Sequence, residues 1–509
     1  MGSRRWARFR LVRPPFLAPE LSDYSVTHAR GESVPRRTLP LWTFAITATA
    51  LFMVSLDNLV VTMALPVIRR DLGASLGDLE WMVNAYTLTF AALLLMGAAL
   101  GDRFGRRRMF TIGVGIFTLG SACAALAPTS GLLIAARAAQ GLGGAISMPL
   151  SLTILSAAIP PQKRPLALGA WGAISGLAVA VGPVVGGAIT QGLSWHWIFW
   201  VNVPIGIATV VFARLRLAES HGPDRSLDLG GVVLASVGLV GIVWGVTHGN
   251  GLGWTDGQVV AAMAAGLALL AAFVAWEFRT CQPMLPLHLF RRRASVVANG
   301  VAFLMSFGMF GSIFLLSQFF QFVQGLNPLD SGIRILPWTA APVLVAPIAG
   351  WASGRIGARP ILVAGMALMA VGLGWVAALI STTVSYPSLV PAFVVSGAGM
   401  GLFFAPIANV VLSAVPHEDE GKASGANNTI RELGGVFGIA VLGAIFSAAG
   451  SYSSPRAYTA GLIPGVWAGA AVLAIGAALA LALPAGVARL ARAESSAERL
   501  MPEEAELAA

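Results

Sequence analysis

Fourteen stretches of roughly twenty residues, nearly free of charge, dominate this chain. They lie near 42–66, 80–101, 109–128, 131–157, 166–190, 197–215, 229–248, 258–276, 295–324, 332–353, 360–381, 388–412, 428–449 and 460–485. A helix rising 1.5 Å per residue needs about 20 apolar residues to cross roughly 30 Å of hydrocarbon. With a mean hydropathy of +0.76 and only 11% charged residues, so much apolar surface cannot all be buried inside a soluble domain. The expectation is an all-α polytopic membrane protein. The 59 glycines suit close helix packing in lipid better than barrel strands.

The net charge of +10 does not point to nucleic acid, because the basic residues are spread over short loops and the termini rather than gathered on one soluble face. The positive-inside rule accounts for them. With both termini cytoplasmic, only Arg69, Arg70 and Arg456 of the 33 Lys and Arg lie outside, two (Arg137, Arg334) lie within segments, and the rest lie inside. Deleting one early segment would invert everything after it and export Arg279, Arg291, Arg292, Arg293, Arg355 and Arg359. Residues 1–40 are Arg-rich and lack the apolar core of a secretory signal, and read as a basic cytoplasmic arm. The tail 489–509 reads as a short cytoplasmic helix of mixed charge. Cys123 and Cys281 should share no common point, so no disulfide is expected.

An internal repeat organises the rest. At an offset of 252, Arg103, Gly105 and Arg107 of "GDRFGRRR" recur as Arg355, Gly357 and Arg359, each in a tight loop after segment 2 or segment 10. At 256, "ALGAWGAISGLAVAVG" (167–182) meets "ASGANNTIRELGGVFG" (423–438), the starts of segments 5 and 13. Two six-helix halves, 41–216 and 295–488, thus flank two inserted helices within 217–294. Parallel repeats of this kind build alternating-access transporters.

On these motifs the chain resembles the major facilitator superfamily in its fourteen-helix drug:proton antiporter branch (EmrB/QacA type). The likeness is carried by "LDNLVVTMALP" (56–66), Trp81 and Tyr86, "RAAQGLGGA" (137–145), "GLAVAVGPVVGG" (176–187), "WHWIFWVNVPIG" (195–206), "GLNPLDSGIRILPW" (325–338) and "GKASGANNTIRELGGVFG" (421–438). It implies the major facilitator fold in a cell membrane and proton-coupled efflux of amphiphilic or aromatic drugs or antibiotics. A lipid or metabolite transporter, or a solute importer of the same fold, stays open. There are departures. Ala98 stands where the loop motif usually opens with Gly, and Gly354 stands where the first copy has Asp102. Some cation exporters of the branch it resembles carry acids in segment 10 and near the start of segment 13; here segment 10 has none and Asn427-Asn428 occupy the latter region, which argues against a permanently cationic substrate.

Asp57 is the acid that falls deep in a spanning segment. An isolated carboxylate there costs at least about 2.5–3.5 kcal/mol and is functional by default. It precedes the outer end of segment 1 at Pro66 by roughly 13 Å, while Arg137 enters from the outside by roughly 10 Å, so the two can meet at one depth. We expect a proton-responsive pair facing the central cavity, since burial and a nearby guanidinium act oppositely on a carboxyl. A permanent tie between segments 1 and 4 is the alternative.

In the loop, Gly105 permits a tight turn and Arg106, Arg107 and Arg108 hold it in the cytoplasm. The resemblance gives Asp102, with Arg103 beside it, a role in latching an inner gate against the N-terminal end of segment 13; topology alone is the other reading. In segment 5, Gly176, Gly182, Pro183, Gly186 and Gly187 allow close packing and a bend, and in the family this motif marks exporters. Phe307, Phe310, Phe314, Gln318 and Gln321 share one face of segment 9. With Gln140 and Phe403 they are the candidates for the substrate cavity, lipid contact being the competing assignment for the stripe. Asn427 pairs at helical spacing with Arg431, and Asn428 with Glu432, giving a part of the inner gate, a second proton relay or simple interfacial capping.

No His, Asp and Glu cluster with metal spacing and no nucleophile beside a base is present, nor a phosphate loop. The chain reads as a transporter rather than an enzyme. It is expected to use no metal or organic cofactor, to draw on a proton gradient, and to take small molecules, protons and the lipid bilayer as its partners, as a monomer without nucleic acid.

Overall fold

The computed structural model describes residues 40–160, 163–222, 228–280, 283, 285–415 and 419–484. The basic arm, the charged tail and Cys281 lie outside the described residues; Cys123 is a free, exposed thiol. Fourteen helices among the described residues are long and apolar enough to cross a membrane. They are α1 (Pro40–Leu72), α2 (Leu76–Phe104), α3 (Arg106–Ala125), α4 (Ser130–Ala158) and α5 (Arg164–Gly192). Then come α6 (Trp197–Arg216, broken at Val201), α7 (Leu229–Leu252) and α8 (Gly257–Arg279). The second half holds α9 (Arg293–Phe322), α10 (Pro328–Ile356), α11 (Ala358–Leu379), α12 (Tyr386–Ser413), α13 (Glu420–Ala449) and α14 (Pro455–Ala480).

Local chemistry sets the ends. Ser75 and Asp78 form a reciprocal capping box at the start of α2, and Thr129, Asn327 and Ser454 accept first-turn N–H groups of α4, α10 and α14, satisfying donors that lipid cannot. Two helices outrun the apolar pattern. The α1 helix continues to Leu72, so Arg69 and Arg70 sit in its last turn rather than in a loop. The α10 helix starts at Pro328 and holds Asp330 in its first turn, where the apolar window showed no acid.

The repeat extends to the backbone at its loops. Gly105 and Gly357 both have positive φ, 104° and 90°, and each donates its N–H four residues back, to Gly101 and Ser353. Side chains rarely adopt that conformation. Packing repeats too. In the first half α2 and α3 flank α4 while α1 lies on α5; eight helices later α10 and α11 flank α12 while α9 lies on α13. The halves meet where α5 packs on α10 and α2 on α13, one pair being the image of the other. The inserted α7 and α8 pack together, with α7 resting on α2 and α13.

We call the side bearing Gly105 and Gly357 the arginine face. At the opposite face the halves are tightly joined along α5 and α10. A Cβ at Gly187 would lie 2.3 Å from the Pro328 carbonyl oxygen, and one at Gly332 would lie 2.2 Å from that of Pro183. Within the first half, a Cβ at Gly182 would lie 2.8 Å from Leu59 Cβ and one at Gly186 would lie 2.7 Å from the Val60 carbonyl oxygen of α1. Thr339 Oγ1 donates to the Ala180 carbonyl at 3.0 Å, Gln191 Oε1 accepts from Leu329 N, and Gln321 Nε2 donates to the Met63 carbonyl at 2.8 Å. Toward the arginine face this seam parts. Gly169, Gly172 and Gly176 have no neighbour within 4 Å of a notional Cβ, nor does Gly354 on α10. Gly176 therefore does not join the close-packed run; it faces open space.

Lipid offers helices no hydrophobic reason to associate, so such backbone approaches supply the joining force. Gly187→Leu is expected to wedge α5 from α10 and to lower stability by about 1–3 kcal/mol, measured as thermal unfolding in detergent, whereas Gly176→Leu should leave the transition unchanged.

Candidate functional site

Asp57 of α1 and Arg137 of α4 do meet. Arg137 Nη1 donates to Asp57 Oδ2 in a direct ion pair, with Arg137 fully buried and Asp57 3% exposed. Both run deep, because α1 carries Asp57 at its middle and α4 starts only seven residues before Arg137. Arg137 Nη1 also donates to Gln140 Oε1 at 2.8 Å, and its Nε to the Met82 carbonyl at 3.0 Å. Gln140 Nε2 and Asn202 Nδ2 donate to Asp57 Oδ1 at 3.2 and 2.9 Å, and both reach Ser121 Oγ. Arg137 Nη2 has no hydrogen-bond partner; the guanidinium lies 4.3 Å from the Tyr86 ring centroid, a cation–π contact. Asp57 thus receives hydrogen bonds from three side chains, an arrangement that suits a carboxylate.

Two expectations are corrected. The pair is enclosed by α1, α2, α3, α4 and α6 rather than facing an open cavity. Gln140 is fully buried in this network and lines no cavity, because its amide is consumed in bridging the two charges. Ser121 and Asn202 are contributors that residue-by-residue reading missed; Asn202 stands inside the "WHWIFWVNVPIG" motif, where a lone amide in an apolar run was the available signal. Glu80 was missed as well. It is 2% exposed one turn into α2, since α2 starts at Leu76 and α13 packs over it.

At the arginine face, Asp102 pairs with Arg106 at 2.8 Å and not with α13. Its carbonyl accepts from Gly222 N, and Arg106 N donates to the Ser220 carbonyl. Arg107 N and Arg108 N donate to Glu219, whose carboxylate caps the start of α3, and Arg107 Nη1 donates to the Leu217 carbonyl. Arg103 is exposed over the Phe104 ring. The loop after α6 thus occupies this corner, while α13 meets α2 nearby through Gly425 and Leu95.

The α9 stripe divides. Phe314 and Gln318 are fully buried, Gln318 accepting from the Tyr452 hydroxyl within the second half, and of these three Gln321 is the one that bonds across to α1. Phe310 packs on Gly435 of α13, and the Phe307 carbonyl abuts Gly438. None of the five lines the small cavity, about 140 Å³, that opens between α12 and α13. Phe403, Phe404, Asn427, Asn428 and Arg431 do. Asn427 donates to Asn299 of α9 at 3.0 Å, and Arg431 pairs with the adjacent Glu432 at 2.9 Å, so the four polar groups of α13 do not act as two i, i+4 pairs.

Residues 47–438, and again 299–505, match the model of the Major Facilitator Superfamily. The chain belongs to the major facilitator superfamily. It is 37% identical to the multidrug resistance protein Stp of Mycobacterium tuberculosis, over 80% of this chain and 76% of that protein. It is 33% identical to the tetracenomycin C resistance and export protein of Streptomyces glaucescens (83% and 78%), and 36% identical to the cephamycin export protein CmcT of Amycolatopsis lactamdurans (82% and 88%). Its fold is that of major facilitator structures. A POT family transporter superposes with a TM-score of 0.62 at 13% identity, covering 86% of this chain and 94% of that one. The human organic anion transporter MFSD10 does so with 0.56 at 14%, covering 86% and 99%.

Removing one partner of a buried ion pair strands the other charge. Arg137→Leu is expected to destabilise this major facilitator chain by about 3–5 kcal/mol, and adding Asp57→Asn should recover most of that. Thermal unfolding of the two single variants and the double variant checks it, and losses that simply add would deny the coupling.

Proposed function

We propose that this protein is a proton-coupled efflux antiporter for amphiphilic or aromatic compounds, working by alternating access. The observation that carries this is the enclosed Asp57–Arg137 pair, the charge pair at the heart of an apolar half. The charge rule assigns the arginine face to the cytoplasm, so the joined opposite face is extracellular and the structure is inward-facing. In this state Asp57 holds its carboxylate against Arg137, the condition left after a proton has gone to the cytoplasm. Arg137 stays charged throughout. A proton taken from outside onto Asp57 weakens the pair and lets α1 and α4 adjust, which links proton entry to the exchange of faces.

Export is supported by the Gly182–Gly187 packing that seals the extracellular side, and by resistance and export functions in the names of similar proteins. The cavity between α12 and α13 offers two Phe rings, two amides and a guanidinium. It is smaller than the roughly 300–1,000 Å³ of a drug site, so it serves as one wall of a wider path. Asp102 would move from Arg106 to the start of α13 when the cytoplasmic side closes, where the helix N-terminal charge favours a carboxylate.

Two measurements test this. In inverted vesicles with an imposed pH gradient, Asp57→Asn should abolish accumulation of an aromatic dye and keep dye exchange; undiminished uphill transport removes Asp57 from the coupling step. Asp102→Asn should cut transport with insertion intact, and unaltered transport would reduce the loop to a topology signal.

A further inference from the structure

The extracellular end of the α2–α13 seam holds a second buried acid. Glu80 lies with its Oε1 so close to α13 that a Cβ on Gly443 would come within 2.0 Å of it. Its Oε2 has no hydrogen-bond partner, and the hydroxyl of Thr247 faces the carboxyl from α7. One turn along the same face, Asn84 is fully buried with both its amide oxygen and nitrogen unpartnered. No ion pair reaches Glu80 among the described residues.

Its charged and titratable surroundings are few. Arg69 of α1 stands 4.0 Å over the Tyr452 ring rather than against the carboxylate. Tyr452, in the loop before α14, donates to Gln318, and burial holds its phenol well above its ordinary range, Arg69 opposing and Glu80 adding to the effect. Tyr458 of α14 donates to the Leu315 carbonyl at 2.8 Å. His248 of α7 turns to Trp244, stacked at 4.3 Å with Nδ1 near that residue's carbonyl. Asp78 is tied to Ser75. The outer half of α13 carries no charged residue.

An unpaired carboxylate in such a place costs far more than a neutral acid does. The burial of Glu80 also depends on conformation, because α2 belongs to one half, α13 to the other, and the halves part here when the transporter opens outward. We propose that Glu80 is a proton-binding residue of the extracellular gate: it must take a proton from the outer water before the α2–α13 seam closes, and returns it there when the seam opens. Extracellular acid then favours the inward-facing state and resets the exporter after substrate leaves. This rests on the alternating-access reading above but not on the Asp57 step.

The test uses the full chain in lipid nanodiscs with Cys123→Ser and Cys281→Ser, and spin labels on Arg70→Cys and Ser453→Cys, exposed on opposite sides of the seam. Distance distributions are recorded between about pH 5.5 and about pH 8.5. Release of one proton on opening makes the open-to-closed ratio rise by up to about tenfold per pH unit. Glu80→Gln should lose this rise in opening and stay closed, Glu80→Asp should keep it with a displaced midpoint, and Asp57→Asn, which removes the other proton site, should still open as the pH rises. A wild-type distance indifferent to pH, or a Glu80→Gln variant that opens as the wild type does, overturns the proposal. If Glu80→Gln is not recovered folded, the midpoint of Glu80→Asp decides, and an unmoved midpoint counts against Glu80. Failure of the Asp57 reading would show separately, as uphill transport surviving Asp57→Asn while the gate still responds to pH.

Discussion

A carboxylate and a guanidinium held out of water in the middle of an apolar helix bundle impose the main constraint on this molecule. Taking each ion out of water costs several kcal/mol after relaxation, and their attraction offsets this only when geometry is good and the remaining polar atoms are bonded. Asp57 and Arg137 meet that condition with atoms from four helices: Met82 and Tyr86 of α2, Ser121 of α3, Gln140 of α4 and Asn202 of α6. Displacing α2, α4 or α6 would unmake a contact to a buried charge, and displacing α3 would unmake a bond to the amides that hold it. The first half is therefore a stiff body, and motion is directed to its boundary with the second.

That boundary is built differently. Along α5 and α10 it consists of glycine Cα atoms against carbonyl oxygens and a few single hydrogen bonds. Each is worth about a kcal/mol or less in lipid, so the joint is close in geometry and modest in energy, as a joint that opens and closes must be. The second half is packed on aromatic rings, with Phe393 against both Phe320 and Trp338, and its Arg431–Glu432 pair is partly exposed rather than sealed. Charge handling and side-chain packing are thus divided between the two repeats although their backbones correspond.

Much of this was legible in the chain because it depends on local or periodic signals. Segment length gave the fourteen spans, and Gly105 and Gly357 announced identical turns through a shared motif. Asp57 and Arg137 stood out because ions in apolar runs are rare and their depths matched. Gln140 was misassigned and Asn202 overlooked for one reason: an amide in a membrane helix says that it needs a partner, not which one. The α9 stripe misled similarly. Helical spacing put Phe307 through Gln321 on one side, yet α1, α13 and the loop before α14 cover different parts of that side.

Sequence alone determined the class, the span count, the repeat and the identity of the central ion pair, since hydropathy, turn chemistry and the cost of charge in hydrocarbon act on short stretches of chain. Tertiary structure decided which polar groups satisfy that pair, that Glu219 rather than α13 occupies the Asp102 corner in this state, and that Glu80 is buried. Those outcomes depend on which helix faces are brought together from separate stretches of the chain, and no local pattern encodes that pairing.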